Sequence, residues 1–184
     1  MKAIKTIFVL SVIIIGLSLS SAAAPDQDDP ALEAKARDIH TRILSVDTHC
    51  DTPGNMLNPG WDIGARHEPG SENGGQIDLP KMKEGGLDAL FFAAFTGQGP
   101  LTQDGYASAR SKAAAQIDAV EAMTVKYAGL VGKATTPEAA VRLKKEGKRA
   151  AFIGLENGYP IGEDLSLVDL EPEVDRAGHE EVTL

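Results

Sequence analysis

His49, Asp51 and Glu156 are the residues whose types and spacing most directly suggest chemistry. An imidazole and a carboxylate two residues apart in an extended chain point to the same side, about 6.6 Å apart along it. Both can then converge on one cation. Nitrogen and oxygen donors suit Zn²⁺, and three protein ligands plus a water form a catalytic type of zinc site. A His-x-Asp pair alone is not specific, because it also occurs in turns stabilised by hydrogen bonds.

The elements that must position these residues are apolar strands alternating with helices. The first strand, Ile43–Asp47, leads directly into His49, and Glu156 follows a later strand, Ala150–Leu155. Such alternation predicts parallel βα units and an α/β fold. In such sheets, functional groups collect at the carboxyl ends of the strands. The other predicted elements are a helix near 28–42, a helical turn at 79–84, a strand at 89–95, a helix at 104–128, a helix from Thr136 to Gly147, and a fourth strand beginning at 181–184.

The charge balance excludes one class of partner. The 184 residues contain 18 Lys and Arg against 27 Asp and Glu, giving a net charge of −9. No strongly basic block is present, so binding to nucleic-acid phosphates is not expected. The content of 42% hydrophobic and 24% charged residues is that of an ordinary globular domain.

The amino terminus resembles a secretory signal peptide. A basic lead containing Lys2 and Lys5 precedes an apolar run, and Ala22 and Ala24 fit a cleavage site. The run is shorter than the roughly 20 residues of a membrane-spanning helix. We therefore expect residues 1–24 to be removed, the protein to be exported to the periplasm or outside the cell, and no stable membrane span to remain. The single cysteine, Cys50, excludes an internal disulfide.

Three segments in order resemble the membrane (renal) dipeptidase family of zinc metallopeptidases. Val46–Pro53 is similar to that family's opening metal motif, and Gln76–Phe92 to its second strand with the lead-in. Ala151–Gly158 is similar to the segment that carries its bridging glutamate. The likeness extends from about Ile39 to Leu170.

The resemblance implies a (β/α)₈ TIM-like barrel with a two-zinc site and a dipeptide substrate. His49 and Asp51 would hold one zinc, and Glu156 would bridge to the other. Peptide hydrolysis would proceed by attack of a metal-bridging hydroxide on the peptide carbonyl. A related metal hydrolase on the same barrel is an alternative, but its usual opening motif is His-x-His, and position 51 is Asp.

Only part of such a barrel is expected here, because a complete one takes about 250 residues. We expect residues 25–184 to be an amino-terminal portion with three to four βα units. The family's two further zinc histidines and its acid/base aspartate have no counterpart here. Residues 181–184 resemble the strand that leads to a family histidine that contacts the substrate, and His179, which lies before that point, is not assigned this role. The competing hypothesis is an inactive half-barrel that binds a partner or forms homo-oligomers through its unpaired edges.

Other candidates have simpler interpretations. His40 is expected on a helix surface, and His67 is expected to be solvated in a glycine-rich loop. Cys50 is interpreted as a small buried residue on the strand face opposite the ligands. Trp61 and Asp62 in the long loop are candidates for shaping a pocket.

Overall fold

The computed structural model describes residues 29–71, 74–168, 172–174 and 180–182. The predicted signal peptide lies outside these residues. The chain divides into two compact units, Met1–Ile39 and His40–Leu184.

Helix α1 spans Pro30–Arg42 and confirms the first predicted helix. The Asp29 carboxylate accepts a hydrogen bond from the backbone amide of Ala31 at 2.9 Å, as a residue at a helix amino terminus commonly does. An ion pair between Arg37 and Glu33, at 3.1 Å, lies on its exposed surface. The helix buries none of its residues.

The second unit contains the predicted alternation of strands and helices. Its elements in chain order are β1 (Val46–Cys50), α2 (Thr52–Met56), α3 (Leu79–Glu84), β2 (Ala89–Phe95), α4 (Gln103–Lys126), β3 (Val131–Lys133), α5 (Pro137–Lys145), β4 (Arg149–Glu156), two 3₁₀ turns (Tyr159–Ile161 and Leu165–Leu167), β5 (Pro172–Val174) and β6 (Glu180–Val182).

Strands β1 to β4 form a parallel sheet in the order β1-β2-β4-β3. Helices connect the strands, as parallel pairing requires. The predicted α/β fold class with a parallel sheet is confirmed, with β3 at the sheet edge beyond β4 rather than between β2 and β4.

One face of the sheet packs against α4 and forms the main core. Leu90 and Phe92 of β2 belong to the same core cluster as Val120 and Met123 of α4, and all four side chains are buried. Burial of apolar side chains of this size contributes about 1.5–3 kcal/mol each. The helix predicted at 104–128 is confirmed, and Gln116 is buried near the middle of its apolar face, while Ile117 is only half-buried.

Helices α3 and α5 begin at the capping residues that the sequence provides. The Thr136 hydroxyl accepts a hydrogen bond from the Ala139 amide, with Pro137 in the first turn of α5. Asp78 caps α3 in the same way through the Lys81 amide, at 2.8 Å. Side-chain acceptors at these positions satisfy amides that a helix leaves unpaired.

Three strand predictions need correction. Strand β1 begins at Val46, not Ile43, and includes His49 within the strand. Strand β3 was not predicted, because Val131-Gly132-Lys133 is short and has a glycine at its centre. The segment predicted to begin a fourth parallel strand instead pairs antiparallel: β6 forms a separate two-stranded sheet with β5.

Within the described ranges, none of the helices combines the length and the apolar character needed to cross a bilayer.

Candidate metal centre

The three candidate ligands come from two strands that are not neighbours in the sheet. His49 lies in β1, Asp51 follows it directly, and Glu156 ends β4. Strand β2 lies between β1 and β4. All three residues are nevertheless at the carboxyl edge of the sheet, where the sequence predicted that they would meet.

An irregularity in β1 places Cys50, rather than His49, on the core face of the sheet. Asp47 is in register with Leu90 and Cys50 with Phe92, so three steps along β1 match two along β2. An extra residue of this type is a β-bulge, which changes the direction of the side chains that follow it. Cys50 consequently packs into the core with Phe92. The preceding residue, His49, is exposed.

Asp51 approaches His49 for a different reason from the one predicted. It is not extended: its φ of −84° and ψ of 9° place it at the start of α2. Pro53 in the first turn of α2 favours this change from strand to helix. The chain therefore folds back so that Asp51 Oδ1 lies 3.3 Å from His49 Nε2.

Glu156 completes a compact group of ligand atoms. Its Oε2 atom lies 3.2 Å from the same His49 Nε2. One ligand atom from each of the three residues lies within 4.8 Å of the others. Ligands about 2.1 Å from a common tetrahedral ion are about 3.4 Å apart, so the two separations from His49 suit a shared zinc ion.

The electrostatics of the group also suit a cation. A single imidazole N–H can donate to one carboxylate at a time, and the Nε2 geometry makes a hydrogen bond with Asp51. Glu156 Oε2 is shielded from solvent and has no hydrogen-bond partner among the residues that the structure describes. A shielded carboxylate oxygen without a donor is costly unless a cation neutralises it. The donor set therefore fits a metal ion.

Access to this group from solvent is open. The side chains of His49, Asp51 and Glu156 are 51%, 73% and 42% exposed. On β2 and β4, Ala93 pairs with Gly154, and a Cβ added at Gly154 would meet no atom within 4 Å. Small residues therefore lie beside the ligands, with open space at Gly154.

Cys50 is confirmed as a buried residue of the core. Its Sγ lies 2.9 Å from Thr52 Oγ1, and it is a free cysteine. Burial raises the pKa of its thiol and outweighs the Thr52 hydrogen bonds that lower it. The protonated, inward-facing thiol is not a ligand of the group on the other face.

The remaining histidines are placed elsewhere. His40 is exposed on α1, as predicted. The prediction of a solvated His67 is wrong: its ring stacks on Trp61 at 4.3 Å, and its Nε2 contacts the carbonyl of Asp62 at 2.8 Å. The indole of Trp61 provides an apolar surface that loop composition alone does not reveal.

Trp61 and Asp62 line a cavity of about 190 Å³ beside α4. The expectation that they shape a pocket is confirmed. Hydrogen bonds from Tyr127, Lys126 and the Gly64 amide lower the pKa of Asp62 to about 2. This carboxylate stabilises the loop against α4.

Two residues that support the centre were missed in the sequence. Buried Gln116 of α4 donates from Nε2 to the carbonyl of Phe95 at 2.8 Å and accepts from its amide at 3.3 Å. Asn157 donates to the carbonyl of Thr96 at 2.8 Å. The only signal for Gln116 is its spacing, three residues after Ala113 and four before Val120.

Several solved structures resemble this chain. The probable dipeptidase PvdM from Pseudomonas aeruginosa is 28% identical, with a TM-score of 0.60 over 77% of this chain and 35% of that protein. The dipeptidase AC, a metallopeptidase of family M19, is 24% identical, with a TM-score of 0.56 over 68% of this chain and 38% of its own.

The third is a metallopeptidase from Rhodobacter sphaeroides, solved with a phosphinate mimic of the dipeptide L-Ala-D-Ala. It is 21% identical, with a TM-score of 0.54 over 68% of this chain and 41% of that protein. The latter two likenesses concern the fold. The chain spans between 35% and 41% of the length of these three proteins.

The sequence model of the membrane dipeptidase family, peptidase family M19, matches residues 33–171. This range contains His49, Asp51 and Glu156 together with the whole parallel sheet. The chain belongs to the membrane dipeptidase family, peptidase family M19.

Proposed function

We propose that this chain carries the zinc-binding, amino-terminal part of a dipeptidase. His49 and Asp51 hold one zinc ion, and Glu156 bridges toward a second. The observation that carries the proposal is the convergence of one ligand atom from each residue within 4.8 Å at the carboxyl edge of the sheet.

Donor chemistry and family membership support the two parts of this proposal. Histidine nitrogens and carboxylate oxygens are both zinc ligands, and catalytic zinc sites use three protein ligands. The family is named for the cleavage of dipeptides, which supports a dipeptide as the substrate. The 28% identical relative is itself described as a probable dipeptidase.

Each residue has a distinct task in this proposal. When bound, zinc would polarise the peptide carbonyl and lower the pKa of a water molecule. His49 supplies a nitrogen ligand from a strand, and Asp51 supplies a carboxylate fixed at the start of α2. Glu156 presents a shielded oxygen that has no hydrogen-bond donor in the described structure and lies 3.2 Å from His49 Nε2, so it faces the same space as the other two ligands.

Export is the second part of the proposal. Residues 1–24 act as a signal peptide, and residues 25–184 form the amino-terminal part of the barrel domain in the periplasm or outside the cell. A single cysteine, held buried and reduced in the core, is compatible with an oxidising compartment. Mass spectrometry of the exported protein would detect a new amino terminus after Ala24, whereas a retained residue 1 would contradict cleavage.

Zinc binding can be measured directly on this chain. The zinc dissociation constant can be measured by titrating Zn²⁺ against a chromophoric chelator. It should rise by at least about 100-fold in His49→Ala and in Glu156→Gln, because losing a ligand should cost at least as much as losing a group that only orients one, which costs up to about 100-fold. Glu163→Gln is the matched control, because Glu163 is an exposed acid seven residues further along. Equal zinc affinity in Glu156→Gln and Glu163→Gln would contradict the ligand assignment.

Dipeptide turnover distinguishes the proposal from the alternative of an inactive half-barrel. Zinc-dependent hydrolysis of a glycine-containing dipeptide by this chain, abolished in Glu156→Gln, would support an enzyme. A zinc-binding chain without turnover, which self-associates in sedimentation experiments, would instead support a binding protein.

A further inference from the structure

The position of Glu156 depends on how β2 and β4 are joined at their carboxyl ends. The last register pair between these strands is Phe95 with Glu156. Strand β2 separates β4 from β1, the strand that carries His49. A small shift of β4 along β2 would therefore move the Glu156 carboxylate away from His49.

Asn157 extends the connection one residue beyond the last register pair. Its Nδ2 donates to the carbonyl of Thr96 at 2.8 Å, and its Oδ1 accepts from the amide of Tyr159 at 3.1 Å. Both ends of the carboxamide are thus engaged. Thr96 is 1% exposed, so water competes poorly for the first of these bonds.

The backbone of Asn157 indicates that its side chain is needed. Its φ is 71°, and among the described non-glycine residues it alone has a positive φ. Glycine adopts this conformation at lower cost, and asparagine is one of the few other residues that tolerate it. Glycine stands at the next position, Gly158, where φ is −67°. Position 157 therefore carries a carboxamide side chain although glycine would adopt this backbone conformation at lower cost.

We infer that Asn157 is a positioning residue for Glu156. Its carboxamide fixes the carboxyl end of β4 against β2 and so holds the Glu156 carboxylate at His49. Gln116 holds the same end of β2 through the amide and carbonyl of Phe95. The expected effect on zinc rests on the proposed function, whereas the effect on the position of Glu156 does not.

Two substitutions test this role. Asn157→Gly keeps the left-handed backbone and removes both hydrogen bonds. Asn157→Asp keeps the acceptor for Tyr159 but places a carboxylate oxygen against the Thr96 carbonyl. In titrations with Zn²⁺ alone, each should raise the dissociation constant by about 10- to 100-fold, the usual loss when a group that orients a ligand is removed.

Tyr159→Phe is the matched control. It removes the hydrogen bond from Tyr159 Oη to the carbonyl of Pro100, at 2.7 Å, and leaves the backbone bond to Asn157. It should lower the melting temperature and leave the zinc dissociation constant within about twofold. Equal losses of affinity in Tyr159→Phe and Asn157→Gly would indicate general loosening of the loop and would overturn the positioning role.

A crystal structure of metal-free Asn157→Gly provides a second measurement. The distance from His49 Nε2 to Glu156 Oε2, 3.2 Å in the wild type, should exceed about 4 Å, the limit of an ion pair. An unchanged distance together with unchanged zinc affinity would overturn the inference and leave the proposed function intact. A wild type that binds no zinc, with Glu156 still displaced in the variant, would support positioning and refute the zinc site.

Discussion

The ammonium group of Lys144 lies 2.6 Å from the carboxylate of Asp88 at the amino-terminal edge of the sheet. Asp88 directly precedes β2 and is 5% exposed. The same carboxylate accepts hydrogen bonds from the amide and hydroxyl of Ser45, just before β1. The Asp88 carboxylate therefore joins β1, β2 and α5 at the edge opposite His49, Asp51 and Glu156.

The substitution Asp88→Asn is expected to destabilise the protein strongly. Burial alone would raise the pKa of Asp88, but hydrogen bonds from Lys144 and Ser45 outweigh it and lower the pKa. Loss of the charge leaves a partly buried ammonium without its carboxylate, which costs about 3 kcal/mol. Urea denaturation at neutral pH measures this change in the free energy of unfolding.

An exposed ion pair provides the comparison for Asp88. Glu121 pairs with Lys133 at 2.9 Å, with side chains 47% and 40% exposed. Glu121→Gln should cost less than about 1 kcal/mol, as surface pairs do. If the two substitutions had equal effects, the buried pair would contribute no more than a surface pair, and the prediction would be wrong.

Asp62 is expected to make the free energy of unfolding depend on pH in the acid range. Tyr127, Lys126 and the Gly64 amide lower its pKa from 3.8 to about 2. Folding therefore favours the carboxylate, and this contribution is present above pH 3.8 and is lost as the pH falls to about 2. The difference in unfolding free energy between wild type and Asp62→Asn should be positive at pH 6 and shrink toward zero at pH 2.

Tyr127→Phe checks the cause of this pH dependence. The Tyr127 hydroxyl donates to the Asp62 carboxylate at 2.6 Å and is the largest contribution to the lowered pKa. Removing it should reduce the part of the acid sensitivity that depends on Asp62. A difference between wild type and Asp62→Asn that is equal at pH 6 and pH 2 would refute the linkage.

Substitution of Gly105 by alanine is expected to destabilise the protein, although Gly105 lies in a helix. Alanine usually stabilises a helix interior by about 1 kcal/mol relative to glycine. A Cβ at Gly105, however, would lie 2.3 Å from the Pro100 carbonyl oxygen and 2.4 Å from the Tyr159 hydroxyl. Because one of these neighbours is backbone, Gly105→Ala should destabilise the protein by about 1–3 kcal/mol in thermal or urea unfolding.

Gly129 is the matched position for Gly105. A Cβ there would meet no atom within 4 Å. Gly129→Ala should leave the free energy of unfolding within about 0.5 kcal/mol of wild type. If Gly105→Ala were more stable than wild type, the loop after β2 would not be held close to Gly105 by its contact with Tyr159.

The elements predictable from the sequence were those with strong local signals. The bounds of α3 and β2 agree with prediction, because Asp78 and Gly85 delimit the helix and the strand is continuously apolar. Strand β3 lacks such a signal: its three residues become a strand only through parallel pairing of Val131–Lys133 with Arg149–Ala151. Tertiary pairing of this kind is not encoded in local propensity.

The convergence of His49, Asp51 and Glu156 was predictable from the sequence, but the geometry that brings them together was not. The spacing of His49 and Asp51 suggested a shared direction along an extended strand, whereas the structure joins them through a bulge in β1 and the start of α2. Gln116 and Asn157 could not be identified, because their hydrogen bonds are made to backbone groups 21 and 61 residues away. A polar residue in an apolar stripe gives no sign of such a distant partner.

Gln116→Met is expected to weaken both the fold and the metal centre. Methionine matches glutamine in length but leaves the amide and carbonyl of Phe95 without the partners they have at 3.3 and 2.8 Å. Such a loss costs about 2 kcal/mol in a buried setting. Since Phe95 is in register with Glu156, the zinc dissociation constant should rise as well. Gln103 is exposed on the same helix, so Gln103→Met should change neither the free energy of unfolding nor the zinc dissociation constant. Equal results for the two variants would show that the hydrogen bonds of Gln116 do not hold the carboxyl end of β2.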